Sequence, residues 1–307
     1  MADISKINAV AIGSVAKLDA VLAANIAKVN GLVFSTGPAF LLDTYTGAAA
    51  AYSTRRLNSQ YTGAAMRVRE DSGDTETDIG FDANGNLDTA AIATHCGSAN
   101  GYVTKWYDQA ASGGTGSGND AESPPRPSQP QIYNGSAVIT TNGKPALLYD
   151  GSNDAFEDVT LNSAVNQNDM AMYGAGQWQS GGPNYPAIMN LRTGSDDGFS
   201  LAYRGDQFIY NDTVLGTHGS NDYTQRLWSG YADNASSEVK LFIDGSEIAS
   251  TTPVSDTHST LHVGGLGHIA NSTRWAGYIQ EVIIFGASTK ANNSAIETDI
   301  NNYFSIY

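Results

Sequence analysis

Two stretches decide the fold: Ala146-Leu147-Leu148-Tyr149-Asp150-Gly151-Ser152-Asn153-Asp154 and Gly277-Tyr278-Ile279-Gln280-Glu281-Val282-Ile283-Ile284-Phe285. Each holds an apolar run of strand length, and the first closes on Asp, Gly, Ser and Asn, which favour a turn. Between them, residues 169–177, 199–203, 207–210, 225–232, 239–243 and 260–263 read as further strands separated by turn residues. Asp244-Gly245, directly after Lys240-Leu241-Phe242-Ile243, marks a hairpin. Regular spacing of this kind predicts an antiparallel β-sandwich. The 33 Gly, 16 Tyr and 15% charged residues fit, since the surface of a helical bundle would need more Lys and Glu.

Working outward, residues 48–57 are Ala-rich and predict a short helix, and 64–69 alternate apolar and basic like a half-buried strand. A turn at 82–86 precedes a second short helix over 87–96, closed by Gly97. Residues 102–107 predict a strand, and the Gly- and Pro-rich stretch 110–130 a long surface loop. Ile296, Ile300, Tyr303 and Phe304 stand at helical spacing and predict a terminal amphipathic helix.

The N-terminal stretch repeats every eleven residues: Lys6, Lys17 and Lys28 recur, as do Asn8, Asp19 and Asn30. Its apolar positions, including Ile4, Ile7, Val15, Leu18, Ile26 and Val29, have the spacing of an eleven-residue helical seam. The β-branched residues and the Asn30-Gly31 pair favour short strands with turns, so both geometries stay open. In either, so thin an arm cannot bury its apolar side alone. The expected organisation is therefore a docking or oligomerisation arm over 1–34, with those six residues as its contacts, and a sandwich domain over 35–307.

A formal net charge of −15, from 16 basic and 31 acidic residues, argues against nucleic acid and against anionic membrane. Arg55, Arg56, Arg67 and Arg69 are followed by Glu70, Asp71 and Asp74, the pattern of a solvated or salt-bridged surface. Cys96 is the single cysteine, so no intrachain disulfide forms. With no signal-like start and no membrane-length apolar run, synthesis in a cytoplasm without membrane insertion is expected.

The two opening stretches resemble the first and last strands of a laminin-G-like or concanavalin A-like domain, a jelly-roll sandwich. Upstream, Ala51-Tyr52-Ser53-Thr54-Arg55-Arg56-Leu57, Arg69, Thr77-Asp78-Ile79, Tyr107-Asp108-Gln109 and Asn142-Gly143-Lys144 are similar to the catalytic domain of the α-L-arabinofuranosidase B family. That family is itself a sandwich of this type, so the two resemblances imply one continuous fold. The repetitive arm resembles the docking arms of tailed-virus structural proteins.

Retaining glycosidases need two carboxylates ~5 Å apart. The arabinofuranosidase resemblance places the nucleophile on Gly198-Phe199-Ser200-Leu201-Ala202-Tyr203 and the acid on Gly264-Gly265-Leu266-Gly267-His268, and neither segment carries an acid, although Asp196 and Asp197 lie close by. His258, His262 and His268 lack a metal-binding spacing and read as structural, Cys96 has no evident base, and Asp150 to Asp154 read as turn chemistry without the spacing of an EF-hand calcium loop. No catalytic residue, metal or cofactor is therefore expected. Trp178 and Tyr185, flanking the loop 179–184, are the candidate sugar-stacking aromatics, with core packing as the alternative. The function expected from these readings is a virion structural protein: a capsid decoration, fibre or tail module. Its arm binds other virion proteins and oligomerises, as a trimer by expectation, and its lectin-like domain meets host glycans. A glycoside hydrolase of arabinofuranosidase type is the alternative.

Overall fold

The computed structural model describes residues 40–110, 116, 118–122, 126–179, 187–193, 196–204, 207–210, 213–217, 223–264 and 274–307, together with the backbone of six short strands between Lys6 and Val33. Side chains of 193, 196–198, 202–204, 207–210, 213–217 and the six early strands lie outside that description. The chain divides into two compact units, Met1–Ala39 and Phe40–Tyr307.

In the first unit each eleven-residue repeat is one antiparallel hairpin: Lys6–Ile7 with Val10–Ala11, Lys17–Leu18 with Val21–Leu22, and Lys28–Val29 with Leu32–Val33. The register is the same in all three, with Lys6↔Ala11, Lys17↔Leu22 and Lys28↔Val33 paired. Of the two geometries the repeat allows, the backbone takes the strands. The residue pairs between strands, Asn8-Ala9, Asp19-Ala20 and Asn30-Gly31, are led by the residue types that two-residue hairpin connections favour.

The second unit is an all-β antiparallel sandwich with three short helices. Its principal strands are β1 (Ala48–Ser53), β2 (Met66–Glu70), β3 (Glu76–Ile79), β4 (Asn100–Trp106), β5 (Gln131–Asn134), β6 (Leu147–Asp150), β7 (Phe156–Asn166), β8 (Met170–Trp178) and β9 (Ala187–Thr193). They continue with β10 (Asp196–Arg204), β11 (Gln207–Tyr210), β12 (Thr213–Thr217), β13 (Gln225–Asp233), β14 (Glu238–Ile243), β15 (Ser246–Thr251), β16 (Thr257–Val263) and β17 (Ala276–Phe285). The helices are α1 (Leu41–Thr44), α2 (Thr89–Cys96) and α3 (Asn293–Phe304).

The large sheet runs β15-β14-β13-β8-β17-β6-β5-β4-β2-β3, and the far edge of β17 is shared end to end by β6 and β1. The second sheet runs β7-β16-β9-β10-β11-β12. Both faces of β8 are buried, so its sequence alternates between two cores. Met170 and Met172 face the inter-sheet core with Met189, Leu191, Phe199, Leu261 and Val263, while Ala171, Tyr173 and Ala175 face Ile296, Ile300 and Phe304 of α3. The architecture is thus helix, large sheet, small sheet.

Residues 48–53 form a strand where the Ala-rich composition predicts a helix. Helix propensity is a weak prior, and here it yields to pairing with the centre of β17, Ala51↔Ile283 and Tyr52↔Val282. Ala50 and Tyr52 enter the inter-sheet core and Ala51 the helix side. Arg55, expected at a basic surface spot, is instead buried, bonded to Glu281 at 2.8 Å and Asp299 at 2.8 Å. Arg67 and Arg69 do form the expected ion pairs, with Asp78 and Asp74.

Candidate functional site

The small sheet alternates between core and polar residues, and its polar face is also covered. Met189, Leu191, Phe199, Leu201, Leu261 and Val263 enter the core, so Asn190, Ser200 and His262, which alternate with them, point to the opposite face. All three are at most 2% exposed. They form one row across three strands, because Asn190 pairs in register with Ser200 on one side and His262 on the other. Asn190 Nδ2 donates to Ser200 Oγ in a short hydrogen bond. Asn190 Oδ1, fully buried, accepts none among the described residues.

On β7 the row continues to Asp158. Its backbone N–H donates to His262 Nδ1 at 3.2 Å, which leaves the imidazole proton on Nε2, 3.9 Å from Asp158 Oδ1. Burial pulls the His262 pKa below its ordinary value, against the opposing pull of Asp158 and Glu157. A neutral ring with a fixed tautomer follows. The Asp158 side chain is 85% exposed, and its φ of 55° places a non-glycine residue in the left-handed region, a strained conformation that concentrates at functional sites. Glu157 beside it is ion-paired with Arg274. One step along β9, Arg192 is 2% exposed, and its register partner on β10 is Asp197.

This track lies where the family resemblance puts its chemistry. Strand β9 is the common neighbour of β10, which carries 198–203, and of β16, which runs into Gly264. Residues 265–268 lie outside the described residues.

The motif residues upstream hold the scaffold instead. Asp108 Oδ1 accepts from the backbone N–H of Ala51 and of Ala110, both at 2.9 Å. Gln109 Oε1 accepts from Leu57 N at 2.8 Å while its Nε2 donates to Arg55 O. Tyr107 donates to Asp78, itself paired with Arg67. Asn142 and Gly143 supply the two positive φ angles of a tight turn.

Of the proposed stacking aromatics, Trp178 is half-buried at the end of β8, packed on the inter-sheet core and stacked on Tyr223 with centroids 5.3 Å apart. Tyr185 lies outside the described residues. Of the arm contacts, Ile7, Leu18 and Val29 lie in the first strands of the three hairpins, and Ile4, Val15 and Ile26 lie outside the described residues. His258 is buried against Gln167, and His268 lies outside the description. Among the described residues no group of three or more His, Cys, Asp or Glu gathers as a metal ion would require, and no helix is long and apolar enough to cross a membrane.

A family model described as the catalytic domain of α-L-arabinofuranosidase B matches residues 42–174, somewhat under half of the chain. Among solved structures, a family-54 α-L-arabinofuranosidase soaked with a cyclic sulfate inhibitor superposes with a TM-score of 0.63 at 15% identity, covering 85% of this chain and 64% of that one. An arabinofuranosidase complexed with arabinofuranosyl-α-1,2-xylobiose gives 0.61 at 16% identity, with the same coverage. At such identity the likeness is one of fold, and the chain spans 64% of the length of these proteins. No curated protein sequence matches.

These findings correct the expectation of a virion structural module, because the matched family model and the structures sharing the fold are those of arabinofuranosidases. The expectation of a non-enzyme is corrected on the same ground. It rests on the missing acid in 198–203, a criterion that is too narrow. A sandwich can supply a carboxylate from another strand of the same sheet, and β7 carries Asp158 beside His262 while β10 begins at Asp196.

Proposed function

We propose that this chain is a glycoside hydrolase acting on neutral furanosides of the arabinofuranoside type, with its site on the polar track of the small sheet. The observation that carries the reading is Asn190, a fully buried amide between Ser200 and His262 whose Oδ1 accepts no hydrogen bond among the described residues. An unsatisfied buried acceptor costs roughly 1–3 kcal/mol, and a substrate hydroxyl that donates to it removes that penalty. The arabinofuranosidase fold supports the same assignment. Asp158, beside His262, is the carboxylate we assign to the acid/base role, and Arg192 is the buried cation of the same sheet. The net charge of −15 favours a neutral carbohydrate over a polyuronate. We further assign the Trp178 and Tyr223 stack to contact with a more distant sugar, and the hairpin arm to self-association.

Hydrolysis of 4-nitrophenyl α-L-arabinofuranoside between pH 4 and 8 tests the reading. Turnover is expected in the full chain, reduced about 10- to 100-fold in Asn190→Leu, as for loss of one buried hydrogen bond, and by more in Asp158→Asn. No release of nitrophenol at any pH, or turnover indifferent to both substitutions, overturns it.

A further inference from the structure

A second cleft lies at the end of β6. It has a volume of about 430 Å³, and its lining includes Tyr102, Gln129, Gln131, Tyr149, Asp154 and Gln179. The turn Asp150 to Asp154 forms part of its wall. Asp150 Oδ1 accepts from the backbone N–H of Ser152 at 2.7 Å and of Asn153 at 3.1 Å, so Asp150 performs the turn chemistry expected of it. Asp154 differs. It is 5% exposed, and its Oδ2 takes the Asp150 N–H at 2.9 Å, the one hydrogen bond its side chain makes among the described residues.

The rest of the lining is also half-committed. Gln129 Oε1 is occupied by Arg69 at 2.9 Å, which leaves its amide N–H groups. Gln131 and Gln179 use their Nε2 on Tyr133 O and the Tyr278 hydroxyl, both at 3.0 Å, which leaves their carbonyl oxygens. Tyr149 is 1% exposed and its hydroxyl has no hydrogen-bond partner among the described residues. Gly264, at φ 82°, packs on that ring, where a Cβ would stand 2.4 Å from Tyr149 Cε1. Among the described residues no lysine or arginine lines the cleft.

We propose that this cleft binds one unit of a neutral, polyhydroxylated carbohydrate through the free amide groups of Gln129, Gln131 and Gln179 and the carboxyl of Asp154. Interspersed uncharged donors and acceptors match a sugar's hydroxyls, each of which donates and accepts. Burial, then Asp150, push the Asp154 carboxyl up to about 7, with Arg274 opposing, so below that pH it can donate to a hydroxyl as well as accept from one. Asn190, Ser200, His262 and Asp158 are not among the lining residues, so each reading can fail alone.

The test is a titration of the full-length protein with methyl α-L-arabinofuranoside, methyl β-D-xylopyranoside and methyl β-D-galactopyranoside, followed by the backbone amide NMR signals. At least one glycoside is expected to shift Gly151, Asp154 and Ala276 saturably. Gln131→Leu with Gln179→Leu should weaken that binding at least tenfold without moving the melting temperature, and Asp158→Asn should leave it unchanged. Shifts confined to β9, β10 and β16, no binding by any of the three, unaltered binding in the double variant, or saturation by methylamine in place of the glycosides overturns the proposal.

Discussion

Asp154 shows how one residue's environment sets its chemistry. Its carboxyl is raised from an ordinary 3.8 to about 7, chiefly by burial and secondarily by Asp150. A carboxyl whose folded pKa lies above its unfolded value contributes stability below the unfolded value and loses it as pH rises through the folded one. The wild-type protein should therefore become less stable between about pH 4 and 7 through this group, by on the order of 4 kcal/mol as an upper limit. Asp154→Asn removes the titration and keeps an acceptor. Urea unfolding at pH 5 and pH 8 should show the variant gaining on the wild type at the higher pH, and a constant difference at both would refute the assignment. His262 is the opposite case: a ring held neutral by burial, with its tautomer set by the Asp158 N–H.

At the scale of elements, α3 is the piece whose docking the sequence states most directly. Ile296, Ile300 and Phe304 are fully buried and lie against Tyr173 and Ile283. The helix also supplies Asp299 to Arg55 and Glu297 to Ser229, so it ties β1 and β13 to one layer. Ile300→Ala should cost about 2–5 kcal/mol, read as a lower urea midpoint at an unchanged slope. A cost under 1 kcal/mol would mean that α3 is loosely held. The Asp244-Gly245 turn behaves as its residues predict, with φ of 49° and 73° joining β14 to β15.

At the scale of the molecule, the chain is two units with different bases of stability. Residues 40–307 contain the two hydrophobic clusters. The arm contributes three hairpins of four strand residues each, too short to be stable in water alone. Removing residues 1–39 should leave the melting temperature of the sandwich within about 1 °C, while sedimentation should show self-association lost. A deletion variant that still self-associates would assign that property to the sandwich.

The sequence alone determined the sandwich, because period-two alternation and Asp-Gly turn pairs are local signals that survive without knowledge of partners. It also located the helices at 87–96 and at the C-terminus, and the eleven-residue unit of the arm. It did not determine that 48–53 is a strand, because Ala carries no pattern and β17 lies more than 200 residues away. Nor did it locate the candidate sites. Asn190, Ser200, His262 and Asp158 become neighbours only through strand register, and Asp154 differs from Asp150 only in burial. Register and burial are properties of the assembled sheets, set by which strands pair and what covers them, so tertiary structure alone decided where this chain's chemistry can sit.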